Sequence, residues 1–176
     1  VADHQLAHIY VNDKKDLAKV KALVAALPGV EKVLDSAEQK DFKLNHDRTG
    51  DLVAVADKDF WFTYYYWLDD NVAPDYARTV DIHRKPGYDP VEMFANPDIK
   101  FLKGKLGWTL LKKKLGFRYL MDVIPLKAEL VKGSHGRIPE STKDWPVLIR
   151  SSDKEEGENV DPTSVYSIIH DVVNRK

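Results

Sequence analysis

Residues 52–56 read Leu-Val-Ala-Val-Ala, and this uncharged run decides the fold that the sequence predicts. A continuous apolar run of this length is typical of a buried strand. Two further strands are predicted before it. Residues 6–11 (LAHIYV) are apolar with β-branched and aromatic side chains, and residues 30–34 (VEKVL) alternate between apolar and charged positions, as a half-exposed strand does.

A helix is predicted between the strand at residues 6–11 and the strand at residues 30–34. Apolar side chains recur at helical spacing over residues 17–27, and Pro28-Gly29 ends the pattern. Asn12 or Asp13 is suited to cap the start of this helix. The predicted order is therefore β-α-β-β, and we expect a mixed α/β fold of the α+β kind whose first unit covers residues 1–60.

The remaining chain, residues 61–176, carries weaker patterns. The aromatic run at residues 60–67 (FWFTYYYW) is too bulky to form an exposed patch, so we expect its rings to be buried or to line a cleft. Residues 100–115 favour a helix in spite of two glycines, and residues 147–150 favour a short strand. Asp161-Pro162 is typical of a helix start, and the apolar spacing after it predicts a buried face.

Composition excludes several classes of protein. The 176 residues carry 27 basic and 28 acidic side chains, so a general polyanion binder is excluded. The absence of cysteine excludes disulfides, zinc fingers and cysteine nucleophiles, and it fits a cytoplasmic location. No apolar run is long enough to span a membrane. The chain begins with Val1 and not with Met, which favours a piece of a longer protein.

His135 is the strongest candidate metal ligand among the six histidines. It lies in Gly133-Ser134-His135-Gly136, and the flanking glycines permit backbone angles that bring another group close to the chain. Such a loop can aim an imidazole at a metal or a phosphate. The alternative is a turn that happens to contain a histidine. His8 and His170 lie within a predicted strand and a predicted helix, and we interpret both as structural or surface residues.

Two further groups of residues are candidate ligands. His83 and Arg84 lie in a long irregular segment and are suited to bind an anionic group, although ion pairs with the neighbouring aspartates explain them equally well. Asp3 and His4 could bind zinc as an adjacent pair, but in a strand their side chains would point to opposite faces. Gly104-Lys105-Leu106-Gly107 has the GxxG spacing of KH loops without their flanking pattern, so we expect no nucleic-acid partner.

Several stretches, in order, resemble one family. They are ADHQLAHIYV, DRTGDLVAVAD, WFTYYYWLDD, APDYARTVDIHRKPGYDP, KKLGFRYLMDVIPL and KGSHGR, which together run from Ala2 to Arg137. They are similar to the C-terminal portion of type I phosphodiesterase / nucleotide pyrophosphatase proteins of the alkaline phosphatase superfamily. The resemblance implies a partial alkaline-phosphatase-like fold, with residues 1–60 as a cap-like unit and residues 61–176 as the C-terminal part of the α/β core.

The resemblance also implies chemistry. Family members hydrolyse phosphate esters or nucleotides with two divalent metal ions, usually zinc, and a Thr or Ser nucleophile. The family's late metal-binding histidine maps onto His135, whereas the Asp3-His4 pair lies too close to LAHIYV to be the family's Asp-His pair. His83, Arg84 and Tyr88 are expected to contact substrate in the intact protein, although no known family role maps onto them.

No segment of this chain matches the family's nucleophile or its other metal ligands. The resemblance therefore implies a fragment that is inactive alone, with exposed apolar surface that would favour a homodimer. An incomplete relative kept for structure or regulation is a further alternative. The remaining alternative is that the chain is a non-enzymatic α+β module, which binds a nucleotide, RNA or protein through its aromatic and basic segments.

Overall fold

A computed structural model describes residues 1–80, 90–151 and 159–174 of the chain. The chain divides into two compact units, Val1–Pro139 and Glu140–Lys176. Every strand found in the described ranges belongs to the first unit. The boundary expected near residue 60, between a cap-like unit and the core of a larger fold, stays a prediction.

The first unit contains an antiparallel sheet in which the apolar run is an inner strand. Its strands are β1 (Ala2–Asp3), β2 (Leu6–Ile9), β3 (Val30–Leu34) and β4 (Leu52–Ala56), and their order across the sheet is β1-β2-β4-β3. The predicted bounds of β3 and β4 are confirmed, and β2 ends earlier than the predicted residue 11. Since β2 and β3 are both antiparallel to β4, they run parallel to each other.

Both faces of β4 are buried, as its uncharged sequence predicts. Leu52 and Ala54 point into one apolar cluster, and Val53 and Val55 point into a second cluster on the opposite face. Helix α1 (Leu17–Ala25) covers the first cluster with Leu17, Val20 and Val24. It thereby forms the crossover that connects β2 to β3.

The start of α1 follows the predicted capping. The Asp13 carboxylate accepts a hydrogen bond of 3.0 Å from the Lys15 N–H, which begins a 3-10 turn, Lys14–Asp16, that leads into α1. A single-turn helix, α2 (Glu38–Asp41), follows β3. The predicted β-α-β-β order is thus confirmed, with the two-residue strand β1 added at its edge.

Beyond β4 the first unit contains α3 (Leu102–Lys114) and long irregular segments. The predicted helix at residues 100–115 is confirmed. The aromatic run is buried only in part, because Phe60 and Tyr66 leave 50% and 74% of their surface exposed. Trp61 is fixed by a hydrogen bond of 3.0 Å from its indole N–H to the carbonyl of Ala128.

The second unit contains α4 (Val165–Val173), which begins where the sequence predicts. The Asp161 carboxylate accepts hydrogen bonds from the Thr163 N–H and hydroxyl at 2.8 and 2.6 Å. The predicted buried face is wrong, since Val173 is 75% exposed. The strand predicted at residues 147–150 is also wrong. Among the described residues of this unit, α4 has only short 3-10 turns as neighbours, and residues 147–150 have no strand to pair with.

Candidate metal centre

Asp3, His4 and His135 form a cluster of three metal-ligating side chains in the first unit. A ligand atom of each lies within 4.8 Å of the other two. His4 is buried with 4% of its surface exposed, whereas Asp3 and His135 are accessible. The cluster joins the end of β1 to a loop far along the chain.

The expectation that Asp3 and His4 point to opposite faces is wrong. His4 lies just after β1, in the turn before β2, and has a φ of 56°. In this left-handed conformation the alternation of side chains along an extended strand no longer applies. Both side chains can therefore face His135.

The loop around His135 is held against this turn by its backbone. The N–H of Gln5 donates a hydrogen bond of 3.0 Å to the carbonyl of His135. Gly133 and Gly136 adopt φ values of +128° and +106°, which side chains disfavour. A Cβ atom on Gly136 would lie 3.1 Å from Cγ of Leu6. The glycines thus permit the close approach that the sequence predicts for this loop.

Gln5 connects the turn to the chain that follows β4. Its buried side-chain amide donates to the carbonyls of Asp57, Lys58 and Phe60 at 3.3, 3.1 and 3.0 Å. Its own carbonyl accepts a hydrogen bond of 2.9 Å from the Ala56 N–H. The turn that carries His4 is therefore fixed to the central strand of the sheet.

The two imidazoles of the cluster are in contact. The ring centroids of His4 and His135 are 4.0 Å apart, and Tyr64 meets the His4 ring edge-on at 5.9 Å. The hydroxyl of Ser134 lies 2.6 Å from Nδ1 of His4. Because Ser134 occupies Nδ1, the ring nitrogen of His4 that suits a metal is Nε2.

The donor set fits zinc. Two imidazoles and one carboxylate are a common zinc-binding combination, and a catalytic zinc ion takes three protein ligands and keeps one position open. Two donors about 2.1 Å from a tetrahedral ion lie about 3.4 Å apart. The ligand atoms of the cluster lie up to 4.8 Å apart, so small side-chain movements are enough to bring them to that spacing.

An ion pair anchors the chain directly after the loop. The guanidinium of Arg137, whose side chain is only 8% exposed, bonds the carboxylate of Glu31 at the start of β3. Glu31 also contacts Lys32 at 2.7 Å. The hydrogen bond from Lys32, and then that from Arg137, hold the pKa of Glu31 below its usual value.

The other predicted site residues fall into two groups. His83, Arg84 and Tyr88 lie outside the described residues. Nδ1 of His8 accepts a hydrogen bond of 3.2 Å from the Gly50 N–H, and His170 is exposed on α4, in agreement with structural or surface roles.

Sequence reasoning missed the contribution of Ser134 and Gln5. In the sequence, the only sign of a role for Ser134 is its position beside His135 in the glycine-flanked loop. Nothing in the local sequence of Gln5 indicates that its amide holds the turn.

Comparison with known proteins identifies a family for the first half of the chain. The model of the type I phosphodiesterase / nucleotide pyrophosphatase family matches residues 1–89, which is half of the chain. No curated protein and no solved structure matches.

The matched region contains the whole four-stranded sheet, together with Asp3 and His4. The mixed α/β fold is consistent with a partial alkaline-phosphatase-like domain, and the family comprises metal-dependent enzymes that hydrolyse phosphate esters or nucleotides. In the described ranges, no helix combines the length and the apolar character needed to cross a bilayer. The chain belongs to the type I phosphodiesterase / nucleotide pyrophosphatase family.

Proposed function

We propose that this chain is the C-terminal part of a metal-dependent phosphodiesterase or nucleotide pyrophosphatase, and that Asp3, His4 and His135 are zinc ligands. The observation that carries the proposal is the convergence of their ligand atoms within 4.8 Å. His4 and His135, which are 131 positions apart, meet there through a loop whose glycines permit the approach.

Each residue has a distinct part in this proposal. His4 and His135 supply neutral imidazole nitrogens, and Asp3 supplies a carboxylate oxygen. Ser134 fixes the ring of His4 through Nδ1. A zinc ion bound there would stabilise the negative charge that develops on a phosphoryl oxygen.

We further propose that this chain does not hydrolyse phosphate esters by itself. Three donors are enough for one ion, whereas a two-metal site with ions about 4 Å apart needs several more. The donors that complete a second ion and the Thr or Ser nucleophile would belong to an upstream part of the intact protein. His83, Arg84 and Tyr88 remain the proposed substrate contacts.

The test is zinc binding by the chain, measured by competition with a chromophoric chelator. We expect about one zinc ion per chain and no hydrolysis of bis(p-nitrophenyl) phosphate. The same segment within a longer gene product should hydrolyse that ester and lose the activity on His135→Ala. Unchanged zinc stoichiometry in the His135→Ala chain, or full activity of the longer variant, would refute the assignment.

The exposed apolar side chains of α4 support a second proposal, self-association of the isolated chain. Ile169, Val172 and Val173 are 58%, 56% and 75% exposed. Sedimentation velocity should show a dimer that Val172→Asp dissociates. A monomer at all concentrations would contradict it.

A further inference from the structure

A second candidate site lies in the first unit, beside α3. It is a cleft of about 460 Å³, which is within the range of small-molecule pockets. It shares no residue with the metal cluster. The lining side chains that matter for binding are Asp75, Lys105, Trp108, Lys112, Arg118 and Asp122.

One face of α3 brings a cation next to a flat aromatic surface. Trp108 and Lys112 are four residues apart, so they lie on the same side of the helix. The ammonium of Lys112 is 5.8 Å from the indole centroid. Trp108 leaves 60% of its surface exposed, so its ring is open to a second stacking partner.

The cations of the cleft differ in how firmly they are held. Lys105 donates to the carbonyl and the carboxylate of Asp122 at 2.7 and 2.8 Å, which fixes the wall of the cleft. Arg118 meets Asp75 at 3.3 Å, and both side chains are largely exposed. An exposed pair of this kind is weak, so the guanidinium can exchange its partner for a bound anion.

We propose that this cleft binds an aromatic anion of the nucleoside monophosphate type. The base would stack on Trp108, and Lys112 and Arg118 would hold the phosphate. A single nucleotide is favoured over a nucleic-acid strand because the cleft offers one widely exposed indole and two cations that are not fixed to its wall, which suffice for one base and one phosphate.

The test is isothermal titration of the full chain with AMP in the presence of EDTA, with adenosine and inorganic phosphate as separate probes. We expect AMP to bind, and each partial probe to bind at least about tenfold more weakly. Trp108→Ala and Lys112→Gln should each weaken AMP binding about tenfold, the loss expected for one stacking or charge-assisted contact. Lys114→Gln, on the same helix but outside the cleft, is the matched control and should bind as the wild type does.

Three results would overturn the proposal. The first is that AMP does not bind at millimolar concentration, and the second is that inorganic phosphate binds as tightly as AMP. The third is that the Trp108→Ala, Lys112→Gln and Lys114→Gln variants all bind AMP with the same affinity. Tighter binding of a single-stranded oligonucleotide than of AMP would also contradict it and indicate a nucleic-acid site. Because EDTA removes metal, AMP binding by His135→Ala should equal that of the wild type, which separates this site from the metal centre.

Discussion

At the scale of single residues, the backbone of His4 is the least expected feature of the chain. A φ of 56° costs a residue other than glycine about 1–3 kcal/mol unless its surroundings hold it there. His4 is held by burial of its ring, by Ser134, and by a hydrogen bond of 2.6 Å from the Phe62 N–H to its carbonyl. Such strain is concentrated at functional sites, and here it turns His4 towards His135.

His135→Ala tests the ligand set directly. Removing one of three donors should weaken zinc binding by more than about 100-fold, since even indirect partners of a ligand are worth 10- to 100-fold. Because His135 is accessible, the variant should keep its thermal midpoint in the absence of metal. His170→Ala is the matched control, because His170 is an exposed histidine on α4. Equal zinc affinity in both variants would contradict the prediction.

Ser134→Ala tests whether the hydroxyl positions His4. Loss of the 2.6 Å contact frees Nδ1, so zinc affinity should fall about 10- to 100-fold with the fold intact. Ser134→Thr, which keeps a hydroxyl, should restore most of the affinity. Ser167→Ala removes a hydroxyl from α4 and serves as the control. If Ser134→Ala and Ser134→Thr bind zinc as the wild type does, Ser134 has no positioning role.

At the scale of elements, β4 is the centre of the fold. Its Leu52 side chain is 1% exposed and packs into the cluster beneath α1. Leu52→Ala should therefore lower the free energy of unfolding by about 2–5 kcal/mol, measured by chemical denaturation. Leu23→Ala, at a 61% exposed position of α1, is the control and should cost much less. Similar losses in the two variants would contradict the assigned core.

Two ion pairs connect α1 to the segment that follows β3. Lys21 contacts Asp35 at 2.7 Å and Glu38 at 2.5 Å. The Lys21 hydrogen bond, followed by backbone N–H donors, lowers the pKa of Asp35 from 3.8 to about 2. The same lysine lowers the pKa of Glu38. Since these are lowered carboxylate pKa values, their stabilisation is present above the ordinary pKa and is lost as the pH falls through the folded value.

Lys21→Met removes the largest cause of both shifts. The variant should be less stable than the wild type at pH 7, and the difference should shrink as the pH falls from about 4 to about 2. Thermal midpoints measured across this range test the prediction. Lys19→Met, on the same helix, is the control. A difference between Lys21→Met and wild type that does not change with pH would contradict the assigned cause.

The sequence predicted the elements whose pattern is local. The apolar run of β4 and the alternation of β3 specify their own bounds, and the glycines around His135 indicated a loop that another group can approach. The Asp3-His4 pair could not be assigned in the same way. Its geometry depends on His4 leaving the extended conformation, and contacts with Ser134 and Phe62, distant in the sequence, hold it there.

At the scale of the whole molecule, an apolar pattern did not predict the structure correctly where a strand or helix needs another element to pair or pack with. Residues 147–150 are apolar enough for a strand, yet Val147 and Ile149 are 80% and 88% exposed. A strand requires a neighbour to receive its hydrogen bonds, and sequence pattern does not show whether one exists. The apolar face of α4 failed as a core prediction for the same reason.

The central claim is that Asp3, His4 and His135 bind one zinc ion together. X-ray absorption at the zinc edge of the chain loaded with one equivalent of zinc tests it most directly. We predict a spectrum with two imidazole ligands and additional oxygen ligands, and loss of the imidazole contribution in the His4→Ala/His135→Ala double variant. An identical spectrum from the wild type and the double variant would show that zinc binds elsewhere and would contradict the account.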